Sequence, residues 1–223
     1  MSAASPSLEL TYRSDAALLV AYTTHLTRGR LPFQTTARLP NGTSVQVRLV
    51  APATSIALTG VVSGISGSTE VPEVTLTVTS RAETLGDAVD QLAFGFRGLK
   101  ALVAASQAAP RALLIRYLRS IVTCEVIEID QTKLSEPGAI CNVDLAVIDL
   151  DSTGAGGYEL YARLREHREA GSAPVLAVAQ LERDRARAAS LGFDEALANP
   201  PAFSDLQAVV LRSLAKPVRV EVV

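Results

Sequence analysis

The stretch "LAVIDLDSTGAGGYEL", residues 145 to 160, ends an apolar run on Asp149, adds a second carboxylate at Asp151 and crosses a Gly-rich segment before apolar residues resume at helical spacing. A carboxylate at the end of a buried strand can serve as nucleophile or metal ligand when a cation beside it takes up the developing charge. Asp149 and Asp151 alone make a poor set for magnesium, which demands near-octahedral oxygen geometry. "GAGG" at 154 to 157 lacks the lysine and the serine or threonine of a phosphate-cradling P-loop. His25 and His167 lie far apart, neither has an i, i+4 partner, and both read as surface histidines. Cys124 and Cys141 form no CxxC pair and have no nearby histidine, so they read as small, buried, reduced side chains. Arg28 and Arg30 could touch an anion but fit a solvated turn better, and "LERDRARAAS" (181 to 190) carries mixed charge as the wet face of a helix does. No serine, histidine and acid combination suggests an activated nucleophile, so no catalytic residue, metal or cofactor is expected.

The rest of the composition narrows the setting of these residues. The chain has 223 residues, 48% of them hydrophobic, enough for one large domain or two small ones. A net charge of -2 gives no basic excess for a phosphate backbone or an anionic membrane surface, so nucleic acid is not an expected partner. "MSAASPSLEL" lacks a basic segment followed by an apolar one, and no apolar run reaches membrane-spanning length; a cytoplasmic protein with no membrane insertion is expected.

Two rhythms divide the chain. From residue 8 to about 80, Val45, Val47 and Leu49 alternate with polar residues, as do Val74, Leu76 and Val78. This period of two predicts half-buried antiparallel strands, with turns or bulges at "PNG" (40 to 42), Gly60, Gly64 and Gly67, in an all-β first half forming a small barrel. From 84 to 96 the period changes: Leu85, Ala88, Val89, Leu92 and Phe96 make one apolar helical stripe, expected to pack on the barrel mouth, and "RGLK" (97 to 100) is a short hinge. Beyond Leu99, strands "LKALVAA", "EVIEI", "LAVID", "PVLAVA" and "EALA" alternate with helices over 109 to 121, 157 to 168, 181 to 191 and 203 to 214. That alternation predicts an α/β doubly wound five-stranded parallel sheet, whose site lies at the carboxyl ends of its strands, where Asp149 stands. After the last helix, Val218, Val220 and Val222 alternate with Arg219 and Glu221, a strand too short to stand alone that should add to a sheet edge of the barrel or of a partner.

"VDLAVIDLDSTGAGGYELYARLR" and "GFDEALANPP" resemble the third and fifth strands, with their loops, of a response-regulator receiver domain, and the resemblance covers nearly all of residues 99 to 215. It implies that Asp149 holds the phosphoacceptor position. It also implies an acidic, magnesium-holding pair where this chain has Ala105 and Ser106, a threonine or serine where Ala179 stands, and a lysine where Asn199 stands, followed through a cis bond by Pro200. Phosphoryl transfer consists mostly of positioning and charge neutralisation, and those groups are replaced here. The resemblance therefore implies a pseudo-receiver with a vestigial Asp149.

"LELTYRSDAALLVAYTTHLTRGRLPFQTTARLPNGTSVQVRLV" resembles a divergent PilZ domain, a small β barrel followed by a helix. Members that bind cyclic diguanylate use an arginine-rich RxxxR start and a (D/N)xSxxG turn. Here that turn reads "HLTRGR", with His25 for the acid or amide, Thr27 for the serine, Arg28 between, and Arg30 for the glycine, while Arg13 stands alone upstream. Cyclic diguanylate is accordingly disfavoured as a ligand.

The resulting expectation is a PilZ-like barrel with its helix over 7–98, a pseudo-receiver over 99–215 and a tail over 216–223. Its function would be that of a non-enzymatic regulatory adaptor that acts through protein partners, independently of phosphorylation, in bacterial motility or cell polarity. A cyclic diguanylate effector ranks second and a phosphorylated response regulator third.

Overall fold

The computed structural model describes residues 5–68, 70–80, 82–130, 143–167 and 172–223, with the side chains of 82–85 excepted. Two compact units result. One comprises residues 1–96 together with 215–223, and the other residues 97–214.

The first unit is built on a six-stranded sheet. Its strands are β1 (Ser7–Thr11), β2 (Arg30–Gln34), β3 (Ser44–Val50), β4 (Ser55–Gly67), β5 (Pro72–Val78) and a last strand from the chain's end, β11 (Arg219–Val222), in the order β11-β1-β3-β4-β5-β2. The ladder does not close among the described residues, and the small barrel predicted from the sequence takes the form of a six-stranded sheet with β2 and β11 outermost. Nor is it wholly antiparallel, because β1 runs parallel to β3, with Leu8 beside Val47 and Leu10 beside Leu49. A parallel neighbour needs a crossover connection. Part of it is a helix that the period-two reading passes over, α1 (Asp15–Thr24), started by Ser14, whose side chain accepts from the Ala17 amide at 3.1 Å. Gly60 and Gly64 are not turns. β4 runs through both, with a register shift between Val62 and Gly64, and Gly60 leaves room for the Thr77 carbonyl, which a Cβ would approach to 3.0 Å.

The core of this unit follows the alternation. Leu8, Leu10, Val45, Val47, Leu49, Val74 and Leu76 are buried, as are Leu18 and Ala21 of α1. A second helix, α2 (Ala82–Gly95), lies against α1 and β4 with Val89 and Leu92 buried. Of the rest of the expected stripe, Ala88 and Phe96 are half-buried, and the Leu85 side chain lies outside the described residues. The tail forms β11 antiparallel to β1, pairing Leu8 with Val222 and Thr11 with Arg219. Val222 remains 61% exposed, so the backbone ladder holds this strand more than burial of its valines.

The second unit is a doubly wound sheet. β6 (Leu99–Ala104), β7 (Cys124–Ile129), β8 (Leu145–Asp149), β9 (Val175–Val178) and β10 (Glu195–Leu197) are all parallel, in the order β10-β9-β8-β6-β7. Every residue of β8 is buried, as a central parallel strand covered on both faces must be. α3 (Ala108–Ile121) and α7 (Phe203–Leu214) meet on one face. Leu160 and Leu164 of α5 (Ala155–Glu166) and Ala188 of α6 (Glu182–Ser190) cluster with Leu102, Ala146, Ile148 and Ala177. A single helical turn, α4 (Leu150–Thr153), follows β8 directly. The expected Gly-rich loop thus shrinks to Gly154, which separates α4 from α5. Cys124 is half-buried and free, while Cys141 lies outside the described residues. No helix among the described residues is long and apolar enough to cross a membrane.

Candidate functional site

The strand order β10-β9-β8-β6-β7 reverses direction between β6 and β8, so the crevice at their carboxyl ends is where a doubly wound sheet places its site. Asp149 ends β8 there, 1% exposed. It caps α4: one carboxylate oxygen accepts from the Asp151 amide at 3.1 Å, the other from the Ser152 hydroxyl at 2.7 Å, and Thr153 donates its hydroxyl to the Asp149 carbonyl at 2.6 Å. Asn199, just beyond β10, turns its side-chain amide onto both acids, donating to Asp149 at 2.9 Å and to Asp151 at 2.7 Å. Asp151 also accepts from the Gln180 amide at the end of β9, at 2.8 Å to the nearer oxygen. The Ser106 amide, past the end of β6, donates to the Ser152 hydroxyl oxygen at 3.1 Å. A hydrogen-bonded chain therefore runs across the carboxyl ends of β6, β8, β9 and β10.

Burial pushes the Asp149 carboxyl above its ordinary value, opposed by the hydrogen bonds from Ser152, with the neighbouring charge of Asp151 adding to the rise. The other receiver-equivalent positions supply no charge. Ala105 and Ala179 are fully buried methyl groups. Their carbonyls accept from Arg111 at 2.8 Å and from Arg185 at 2.7 Å, so each arginine fastens the start of a helix to the end of a strand. The Asn199–Pro200 bond is cis.

This donor set does not fit magnesium. Among the described residues no group of three His, Cys, Asp or Glu could hold a metal ion, and the two carboxylates that converge are bridged by an amide that donates to both. An uncharged amide, Asn199, stands where the receiver resemblance implies a lysine. The arrangement can hold strand ends and helix starts together, and the Ser152 hydroxyl and Asn199 amide that donate to its two carboxylates are uncharged.

The turn "HLTRGR", residues 25 to 30, lies in the first unit. Thr27 and Arg28 belong to a short 3-10 turn, Leu26–Arg28, which ends at Gly29 with φ +66°. Thr27 donates its hydroxyl back to the Thr23 carbonyl at 3.0 Å, and the His25 carbonyl accepts from the amides of Arg28 and Arg30 at 3.0 and 3.2 Å. Burial, with the Arg28 charge, holds the His25 imidazole below its ordinary value. Arg28 and Arg30 are exposed. The glycine that closes this turn is thus Gly29, one position before Arg30, and the threonine hydroxyl is engaged within its own helix end. His167 caps α5 in the other unit.

Ser152 and Gln180 were not legible as site residues, and Ser106 was singled out only as the replacement of an acid, without the bond its amide makes to Ser152. Only the spacing of Ser152, three residues after a strand-end aspartate, hinted at a capped turn.

No protein-family model matches the sequence, and no curated protein is similar to it. Solved structures are similar over the C-terminal half of the chain. A putative response regulator from Chloroflexus aurantiacus J-10-fl is 20% identical, with 53% of this chain and 99% of that chain covered and a TM-score of 0.47. The receiver domain of a sensor histidine kinase from Pseudomonas aeruginosa PAO1, solved with a magnesium ion coordinated in its active site cleft, is 20% identical over 52% of this chain and 98% of that chain, with a TM-score of 0.46. The signal receiver domain of a DNA binding response regulator from Colwellia psychrerythraea 34H is 16% identical over 51% and 96%, with a TM-score of 0.44.

Proposed function

We propose that this protein is a non-enzymatic regulatory adaptor, with a receiver-like unit that takes no phosphoryl group and a PilZ-like unit that does not depend on cyclic diguanylate. Both units act through surfaces that bind other proteins, and bacterial motility or cell polarity is the setting that fits the two resemblances. One observation carries the reading: the Asn199 amide bridges Asp149 and Asp151 at the strand ends, at 2.9 and 2.7 Å, while Ala105 and Ala179 stand on either side. A site that transfers phosphoryl groups places cations where this one places an amide and methyl groups. Asp149 here is a helix cap and a fastening point.

The test is a replacement of the native copy by Asp149→Asn in the source cell. The amide keeps an oxygen for the Asp151 and Asn199 donors, so the fold is retained. A cell indistinguishable from wild type supports a phosphorylation-independent adaptor. The phenotype of a deletion, with the variant protein present at normal abundance, would refute it.

A further inference from the structure

We propose that β11 is a self-pairing edge, through which two copies of this chain join their six-stranded sheets into one continuous sheet about a two-fold axis at Val220. Among the described residues no strand lies beyond β11. The Val223 amide donates to the Ser7 carbonyl and the Val218 amide to the Thr11 carbonyl, so residues 219, 221 and 223 turn their backbone groups toward β1, and Val218, just before the strand, turns its amide there as well. In an antiparallel pair these orientations alternate, and the backbone groups of Val220 and Val222 face outward. An edge of this kind is a template for another strand.

Side-chain exposure shows the same incompleteness. Val220 and Val222 are paired with Leu10 and Leu8, both 0% exposed, and therefore lie on the core face of the sheet. Val222 is nonetheless 61% exposed and Val218 48%, and among the described residues no strand of the sheet lies on their outer flank. A further strand there would extend the apolar face.

The charge pattern selects the occupant. "VRVEV", residues 218 to 222, is self-complementary when reversed. Antiparallel pairing of two copies about Val220 sets valine opposite valine on the core face and Arg219 opposite the partner's Glu221 on the other. A register shifted to centre on Glu221 would instead oppose two glutamates, a destabilising arrangement. Within one chain Glu221 lies opposite Glu9 in the row across the sheet, with Arg48 meeting Glu9 at 3.8 Å from the far side and Arg219 of its own strand meeting Glu221. The partner's Arg219 would complete the row on its open side.

Sedimentation equilibrium on the full chain tests this, read up to about 1 mM, the weak end of specific association. A concentration-dependent dimer is expected. Arg219→Glu and Glu221→Arg should each weaken it by about tenfold or more, since both symmetry-related pairs turn from attraction to repulsion. The two variants mixed should form a heterodimer, and Arg219→Glu/Glu221→Arg in one chain should restore the homodimer. Val220→Pro removes an outward amide from an edge strand, where proline is tolerated, and should abolish the dimer while the circular dichroism of the fold persists. A monomer throughout the range, or a dimer indifferent to these changes, would overturn the proposal.

Discussion

Replacing Asn199 with alanine removes the donor that Asp149 and Asp151 share. Asp149 is 1% exposed, so water does not replace the 2.9 Å bond from the amide, and a lost hydrogen bond to a buried charged group costs about 1.5–3 kcal/mol. Asp151 is exposed, and its 2.7 Å bond is largely restored by solvent, which adds about 0–1 kcal/mol. The sum is roughly 1.5–4 kcal/mol at neutral pH, or about tenfold to several hundredfold in an opening equilibrium. Hydrogen exchange of peptides spanning β8 and β10 reports that opening locally. The pH dependence follows from linkage. Burial already raises the folded-state value of Asp149 above its unfolded one, so the folded state holds the proton more tightly, and the stability this gives is greatest in acid and is lost as pH rises through the folded value. Asn199 supports the ionised form, and its removal raises the folded value further. The variant's deficit should therefore be full above the raised value and should vanish as pH falls and Asp149 takes up its proton. Unchanged exchange in Asn199→Ala at neutral pH, or a deficit equal at all pH values, would refute the assignment of the amide as the clamp on these carboxylates.

Gly157→Ala should destabilise the second unit by about 1–3 kcal/mol in thermal unfolding, because the new Cβ would lie 2.3 Å from the Thr153 hydroxyl, which is itself fixed on the Asp149 carbonyl. Deleting residues 217–223 strips β11 from β1 and uncovers Leu8 and Leu10; exchange in peptides of β1 and β3 should rise while β6 and β8 keep their protection. Titration calorimetry with cyclic diguanylate should show no saturable heat, since Thr27 is bonded to Thr23 and Arg28 and Arg30 lie on an open turn; a saturable isotherm lost in Arg28→Ala would establish the nucleotide as a ligand.

Much of the second unit was legible because buried parallel strands write themselves as unbroken apolar runs. "LAVID" and the helix Phe203–Leu214 lie where the periodicity puts them. α1 was missed because "DAALLVAYTT" is apolar around most of its circumference, so it carries no stripe, and its one local signal was the Ser14 cap. The parallel pairing of β1 was invisible for another reason: pairing direction depends on the route of the connection, which alternation does not record. Gly60 and Gly64 read as turns or bulges; Gly64 stands at the register shift inside a long strand, while Gly60 allows the close approach of the Thr77 carbonyl. At the site, Asp149 could be found from its place at a strand end. The role of Asn199 could not, because its bond to Asp149 joins residues fifty positions apart, and the sequence showed only which charge was missing there.

The most direct measurement of the central claim is the intact mass of the protein after incubation with magnesium and a small-molecule phosphodonor. With alanine at 105 and 179 and the Asn199 amide between the acids, the proposed pseudo-receiver should take no phosphoryl group, and the mass should stay that of the untreated chain. A stoichiometric phosphate adduct mapped to Asp149 would contradict the account.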